Sequence, residues 1–173
     1  MEVAEVGLLM AQNTSTTQKP CLFVVAGTRP EVLKLAPLVR ALRSPESPLD
    51  AAVCFSGQHT EILDKVLVDL DIVPDVELSC PAGESSLSEK LASLLTSLDK
   101  PIADRRPSGI VVQGDTLTAL AGAMVGFHRR IPVFHVEAGL RTDDPALPFP
   151  EEMNRRLITR LATLHFAPTE EAR

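Results

Sequence analysis

Apolar and polar positions fall along the chain in blocks whose period switches between that of a strand and that of a helix. Cys21 to Ala26 is a continuous apolar run, the pattern of a strand buried on both faces. Gly27-Thr28-Arg29-Pro30 breaks the run, and Val32, Leu33, Leu35, Leu38, Val39 and Leu42 then recur at helical spacing. Pro37 inside this helix removes one backbone bond and predicts a local kink. Ser44 to Asp50 reads as a Pro/Ser-rich turn, Ala51 to Phe55 as a second strand ending in Ser56-Gly57-Gln58-His59, and Thr60 to Asp71 as a helix.

The same alternation continues. Val76 to Cys80 reads as a short strand and Glu84 to Leu98 as an amphipathic helix. Ile110 to Val112 is a buried strand ended by Gln113-Gly114-Asp115, and Thr116 to His128 is apolar nearly all round, as a buried helix is. Pro132 to Val136 is a strand ended by Glu137-Ala138-Gly139. After a long loop through Pro150, Glu151 to Leu164 forms a helix and His165 to Ala167 begins a last strand. Strand–helix alternation throughout predicts an α/β fold: a parallel sheet, helices on both faces, right-handed crossovers. Residues 1–19, polar from Asn13 to Lys19, read as a flexible lead-in, and residues 20–173 as one domain.

Composition narrows the function. The net charge is −6, so there is no global basic field for nucleic acid or an anionic membrane, and any phosphate site must be local. No stretch approaches the roughly 20 apolar residues of a membrane span. Glu2 and Glu5, not Lys or Arg, precede the short run Val6 to Met10, which argues against a secretory signal and an Arg-rich transit peptide. Cys21, Cys54 and Cys80 are too far apart for a paired zinc motif, and their odd number argues against a disulfide framework. They read as buried thiols in a reducing compartment; the expected location is cytoplasmic.

In open α/β sheets ligands bind beyond the carboxyl ends of the strands. Four such ends here carry glycine with polar or charged residues: Gly27-Thr28-Arg29, Ser56-Gly57-Gln58-His59, Gly114-Asp115-Thr116, and His135 with Glu137 and Gly139. The Gly27 turn feeds a helix N-terminus, with Arg29 and Lys34 nearby. It is either a phosphate cradle or a plain strand–helix turn. Asp115 is either the N-cap of the following helix or a carboxylate on the site floor. His135 and Glu137 are two apart on a strand and so face one side, with Arg141 a candidate partner for the acid. Glu151 and Arg155, spaced i, i+4, form either a surface ion pair or an acid tuned by its arginine. Gly122 and Gly126 fit close packing of their helix on the sheet. Neither a GxxxxGK[ST] loop nor a GxGxxG turn occurs, which removes support for ATP hydrolysis and NAD chemistry.

Six runs then occur in order: Gly27-Thr28-Arg29-Pro30-Glu31 with Lys34; Gly57-Gln58-His59 with Leu63-Asp64; Gly114-Asp115-Thr116; His135 to Thr142; Pro150-Glu151-Glu152 with Asn154-Arg155; and His165-Phe166-Ala167-Pro168-Thr169. Together they resemble the signatures of the non-hydrolysing UDP-N-acetylglucosamine 2-epimerases, from about Leu22 to the end of the chain. The resemblance implies a Rossmann-like domain that is one half of a GT-B-like two-domain architecture, with the active site in the interdomain cleft. It implies interconversion of UDP-N-acetylglucosamine and UDP-N-acetylmannosamine, without cofactor or metal. It assigns Arg29 and Lys34 to the diphosphate region and Gln58 and His59 to substrate binding. Asp115, Glu137 and Glu151 become the acid/base carboxylates, and Arg155 their functional arginine.

The family's second domain has no counterpart in these 173 residues, and with no Trp or Tyr the chain lacks an obvious base-stacking surface. The expectation is little activity from this chain alone. The 173 residues read as a fragment, a truncated gene product or one subunit of a split enzyme. A homodimer and a separately encoded C-terminal domain are the candidate assemblies, and an apolar patch is expected where a second domain docks. The competing reading is a non-catalytic nucleotide-sugar-binding or regulatory remnant; a glycosyltransferase-like domain is disfavoured because the matched runs are epimerase-like.

Overall fold

A computed structural model describes residues 19–57, 61–78 and 85–173, with 61–64 described for the backbone alone. The lead-in up to residue 18, Gln58, His59, Thr60 and Cys80 lie outside the described residues. Elements run in chain order as β1 (Cys21–Ala26), α1 (Arg29–Leu42), β2 (Asp50–Phe55), α2 (Glu61–Asp69), β3 (Val76–Glu77), α3 (Leu87–Arg105), β4 (Gly109–Gln113), α4 (Leu117–His128), β5 (Val133–Val136), α5 (Glu151–Leu161) and β6 (Leu164–Phe166).

The six strands form one sheet in the order β3-β2-β1-β4-β5-β6, and every pairing is parallel. This is the order of dinucleotide-binding doubly wound sheets, with the switch point between β1 and β4. Alternate residues of β1 serve opposite faces. Leu22, Val24 and Ala26 pack with Leu35 and Val39 of α1 and Leu67 of α2, while Phe23 and Val25 pack with Leu98 and Ile102 of α3 and Ala119 and Ala123 of α4. Helices therefore cover both faces, as the alternation predicts.

Several boundaries differ from the sequence reading, each for a local reason. The helix expected to end at Leu98 continues to Arg105 through Pro101. Leu98 and Ile102, both fully buried, anchor it on either side of the proline, so the loss of one backbone bond is outweighed. It begins at Leu87 because Ser86 caps it: the Ser86 hydroxyl accepts from the Glu89 amide (3.2 Å), and the Glu89 carboxylate accepts from the Ser86 amide (2.8 Å). Likewise α1 runs unbroken past Pro37, whose ring is exposed. The short strand shrinks to Val76–Glu77, α5 ends at Leu161, and the last strand spans Leu164–Phe166. Cys54 is buried and Cys21 half-buried. On the outer side, α5 exposes Met153 and Leu157, one helical turn apart, and the loop before it exposes Leu147 and Phe149.

The glycines of α4 set how closely that helix approaches the sheet. A Cβ on Gly122 would lie 2.9 Å from Val112 Cγ1, and one on Gly126 would lie 2.5 Å from Val133 Cγ2. In an unhindered helix, glycine to alanine gains about 1 kcal/mol. Here overpacking costs roughly 1–3 kcal/mol, so the clash decides the sign. Gly126→Ala is expected to lower the urea midpoint of unfolding, and a raised midpoint would show that the helix can back away freely.

Candidate functional site

The carboxyl ends of β1 and β4 are tied together by an acid. Glu31 is almost wholly buried, and its Oε2 accepts from the amides of Gly27 (3.0 Å) and Thr28 (2.7 Å). Its Oε1 accepts from the Thr116 hydroxyl at 2.7 Å. Thr116 is the N-cap of α4, since its oxygen also accepts from the Ala119 amide at 3.0 Å. Two of the open alternatives are thereby narrowed. The Gly27 turn is not an open phosphate nest, because its own glutamate occupies the amides. Nor is Asp115 the cap of α4, because Thr116 is, and this leaves the Asp115 side chain for other work.

At the end of β5 the chain turns sharply. Glu137 has φ +63°, in the left-handed region that costs a non-glycine residue about 1–2 kcal/mol. Strand alternation has ended at Val136, so His135 and Glu137 do not share a face as expected. His135 is fully buried, and its Nε2–H donates to the Gly114 carbonyl at 2.7 Å. Burial pushes its pKa down, helped by His165 and Arg141 and opposed by the Gly114 bond and Asp115, so the ring is neutral. Glu137 instead faces Lys34, whose ammonium lies 2.7 Å from both carboxylate oxygens, and it also accepts from the side-chain amide of buried Gln113. Arg141, its expected partner, donates to the Leu140 carbonyl and to Thr159.

A second charged group lies beside the first, at the next turn of β4. Asp115 is bonded to Arg155, whose side chain is only 13% exposed, while Asn154 Nδ2 holds the Asp115 carbonyl at 2.9 Å. Arg155 also lies 3.4 Å from Glu152, and Arg156 Nε donates to Glu152 at 2.6 Å while reaching the Thr142 carbonyl at 3.1 Å. Burial acts to raise the Glu152 carboxyl. The bonds from Arg156 and Thr142 and the charges of Arg156 and Arg155 overcome this and hold it below the usual glutamate range. The expected Glu151–Arg155 pair is absent among the described residues: Arg155 turns to Asp115 and Glu152, and Glu151 stays half-buried without an ion pair. Arg29 is exposed and makes no ion pair among the described residues. Gln58 and His59 lie outside them. No cluster of metal-ligating side chains occurs among the described residues.

Residues 40–173 match the family model described as UDP-N-acetylglucosamine 2-epimerase. The chain belongs to this family. It is 49% identical over 149 residues to a putative UDP-N-acetylglucosamine 2-epimerase of Thermotoga maritima, covering 86% of this chain and 39% of that one. It is 47% identical to the UDP-N-acetylglucosamine 2-epimerase of Salmonella typhimurium, covering 88% of this chain and 40% of that one. The UDP-GlcNAc 2-epimerase of Neisseria meningitidis, in a crystal structure bound to UDP-GlcNAc, superposes with a TM-score of 0.83 at 40% identity over 88% of this chain and 41% of that one. The chain thus spans about two fifths of the length of the relatives it matches, and its fold is one half of a GT-B-like architecture.

Within the family frame, the sequence reading missed Glu31, Gln113, Glu152, Asn154 and Arg156 as contributors. Thr28-x-x-Glu31 is a capping-box pattern and would have marked Glu31. Glu152 had no such signal, because Glu151 with Arg155 and Glu152 with Arg156 have the same spacing, and only packing selects the inward one.

Glu31 carries a pH signature. Burial pushes its carboxyl above the ordinary value of 4.5, against opposing bonds from Thr116, Thr28 and the Gly27 amide. The fold therefore holds this proton more tightly than the unfolded chain does. The associated stabilisation is full below 4.5 and is lost as pH rises through the raised value. Glu31→Gln removes the titration. Relative to the parent, the variant should gain unfolding free energy as pH rises from 4.5 toward neutrality, read by urea titration at each pH. A relative loss over that range would mean that the hydrogen bonds, not burial, dominate.

Proposed function

We propose that this chain forms one wall of a cleft in which UDP-N-acetylglucosamine and UDP-N-acetylmannosamine are interconverted by inversion at C2. The observation that carries the reading is the pairing of two carboxylates, at the ends of adjacent strands, each with its own cation: Glu137 with Lys34, and Asp115 with Arg155. Family membership and the UDP-GlcNAc bound by the meningococcal relative supply the substrate.

The chemistry asks for this set of groups. A carboxylate removes the C2 proton, the C2–H electron pair becomes the C1=C2 bond, and the C1–O bond breaks with its electrons going to UDP. The intermediate is 2-acetamidoglucal. A protonated acid then delivers its proton to the opposite face of C2 while a UDP oxygen rebuilds the bond to C1. Protons and electrons balance without an outside oxidant, so no redox cofactor is called for. Asp115, Glu137 and Glu151 supply the acids and bases, Arg155 orients Asp115, and Arg29 and Lys34 stabilise the departing diphosphate. Gln58 and His59 complete the substrate contacts. The exposed apolar side chains of α5 and its preceding loop fit a surface covered by a further domain, on the same polypeptide or another, or by a second copy. A cytoplasmic location goes with a nucleotide-sugar substrate, and no helix among the described residues is long and apolar enough to cross a membrane.

A coupled assay tests the proposal on two proteins: the 173 residues alone, and the same residues joined to the remaining three fifths of the Salmonella relative. The joined protein should turn over substrate, and the 173 residues alone should show little activity. In the joined protein, Asp115→Asn and Glu137→Gln should each lower kcat/KM on the order of a hundredfold or more. Unchanged activity in both variants would sink the site assignment, and full turnover by the 173 residues alone would sink the half-cleft.

A further inference from the structure

The Lys34–Glu137 pair joins two groups to which the proposed reaction gives separate tasks. The ammonium of Lys34 is needed at the diphosphate, and the carboxylate of Glu137 is needed at the sugar. Yet the ammonium sits 2.7 Å from both oxygens of that carboxylate, across 103 residues of sequence. Neither group can fully serve the reaction while it serves the other.

The two ends of the pair are held unequally. Glu137 is fixed from behind by Gln113, which is buried at the end of β4, and by a left-handed backbone that aims the side chain back over Gly114. A Cβ on Gly114 would stand 3.6 Å from Glu137 Oε2, so the carboxylate lies over that turn. Lys34 stands on the outer side of α1 with its side chain 51% exposed, and its bonds among the described residues go to Glu137. If the pair opens, it is the lysine that moves. Among the described residues, the Gly27 and Thr28 amides are not free donors, because Glu31 already takes them. An arriving diphosphate meets Lys34 and Arg29 as the cations of this turn.

Resting on the reading of Lys34 as a diphosphate ligand, we infer that Glu137 is an internal stand-in for the diphosphate, and that an arriving diphosphate takes Lys34 from Glu137 and so releases the carboxylate for proton transfer. Catching the leaving group and unmasking the acid/base group become one event. In the substrate-free site, the ion pair keeps an otherwise uncompensated carboxylate neutralised. In the occupied site, the phosphate oxygens take over the ammonium.

Inorganic pyrophosphate, titrated into the isotope-labelled 173-residue chain and followed at the Arg29 and Lys34 amide signals, tests this with four proteins: parent, Lys34→Met, Glu137→Gln and the double variant. Lys34→Met should weaken pyrophosphate binding. Glu137→Gln should tighten it by about two- to fivefold, the range for breaking a partly exposed ion pair. That gain should vanish in the Lys34→Met background, because it acts through the lysine. Dispersed amide spectra establish that each variant is folded. Unchanged or weakened binding by Glu137→Gln overturns the exchange while the lysine reading stands, provided Lys34→Met still weakens binding. An equal gain with and without the lysine also overturns it, since the carboxylate would then act only as a general repelling charge. If Lys34→Met has no effect, or if pyrophosphate shifts no signal in any protein, the reading of Lys34 itself fails.

Discussion

The carboxylate of Glu31 is the contact on which the geometry of this edge of the sheet depends. At the switch point between β1 and β4, the chain leaves β1 toward one face and leaves β4 toward the other, so the turns diverge and open a crevice. A crevice between two helix N-termini exposes amides that need acceptors. Glu31 supplies one acceptor to both sides, taking the amides of Gly27 and Thr28 with one oxygen and the Thr116 hydroxyl with the other. Because Thr116 also caps α4, the acid that closes the first turn sets the start of the helix that follows the second. An apolar residue here would leave those part-buried donors without the acid's oxygens, at up to roughly 1–3 kcal/mol each where water cannot replace them.

With the floor closed by the protein's own acid, the remaining polar groups are forced upward and outward, and they arrange themselves by charge. Asp115, freed from capping, meets Arg155; Arg155 is steadied by Glu152; and Glu152 is held by Arg156, which reaches back to the Thr142 carbonyl. One buried acid thus ties α5 to the turn after β4 and to the loop after β5. Glu152 is fully buried and held by two arginines, so opening this network would expose a buried charge to loss of its compensation. The exposed pair of Lys34 and Glu137 is worth roughly 0.2–1 kcal/mol. The buried network is therefore the costlier of the two to open.

The sheet was legible in the sequence because a buried parallel strand must be apolar on both faces, and the runs at Cys21–Ala26 and Ile110–Val112 admit little else. Helix ends were less legible. The pattern predicts a helix ending at Leu98, whereas Leu98 and Ile102, buried on either side of Pro101, carry it onward to Arg105. At the site, the motif runs located Lys34, Asp115, Glu137 and Arg155 but not their pairings. Arg141, a candidate partner by sequence, donates to Thr159 while Glu137 meets Lys34, and Arg155, spaced to reach Glu151, meets Asp115 and Glu152. Spacing along a helix says which residues can meet, whereas contacts between residues 103 or 40 positions apart depend on how two crossovers land.

The pairings also bear on how a single half of a GT-B-like architecture can gather carboxylates at one sheet edge without losing its fold. Carboxylates gathered at one sheet edge repel one another unless cations are interleaved. Here the cations come from the helices next to that edge, α1 giving Lys34 and α5 giving Arg155, so the balance is made within the half-domain itself. A second domain would then contribute binding surface and exclusion of water, and would not be needed to neutralise the first. Charge compensation inside the half-domain removes one electrostatic reason for a second half to be present before this one folds, and the Lys34–Glu137 pair is the more exposed of the two compensations.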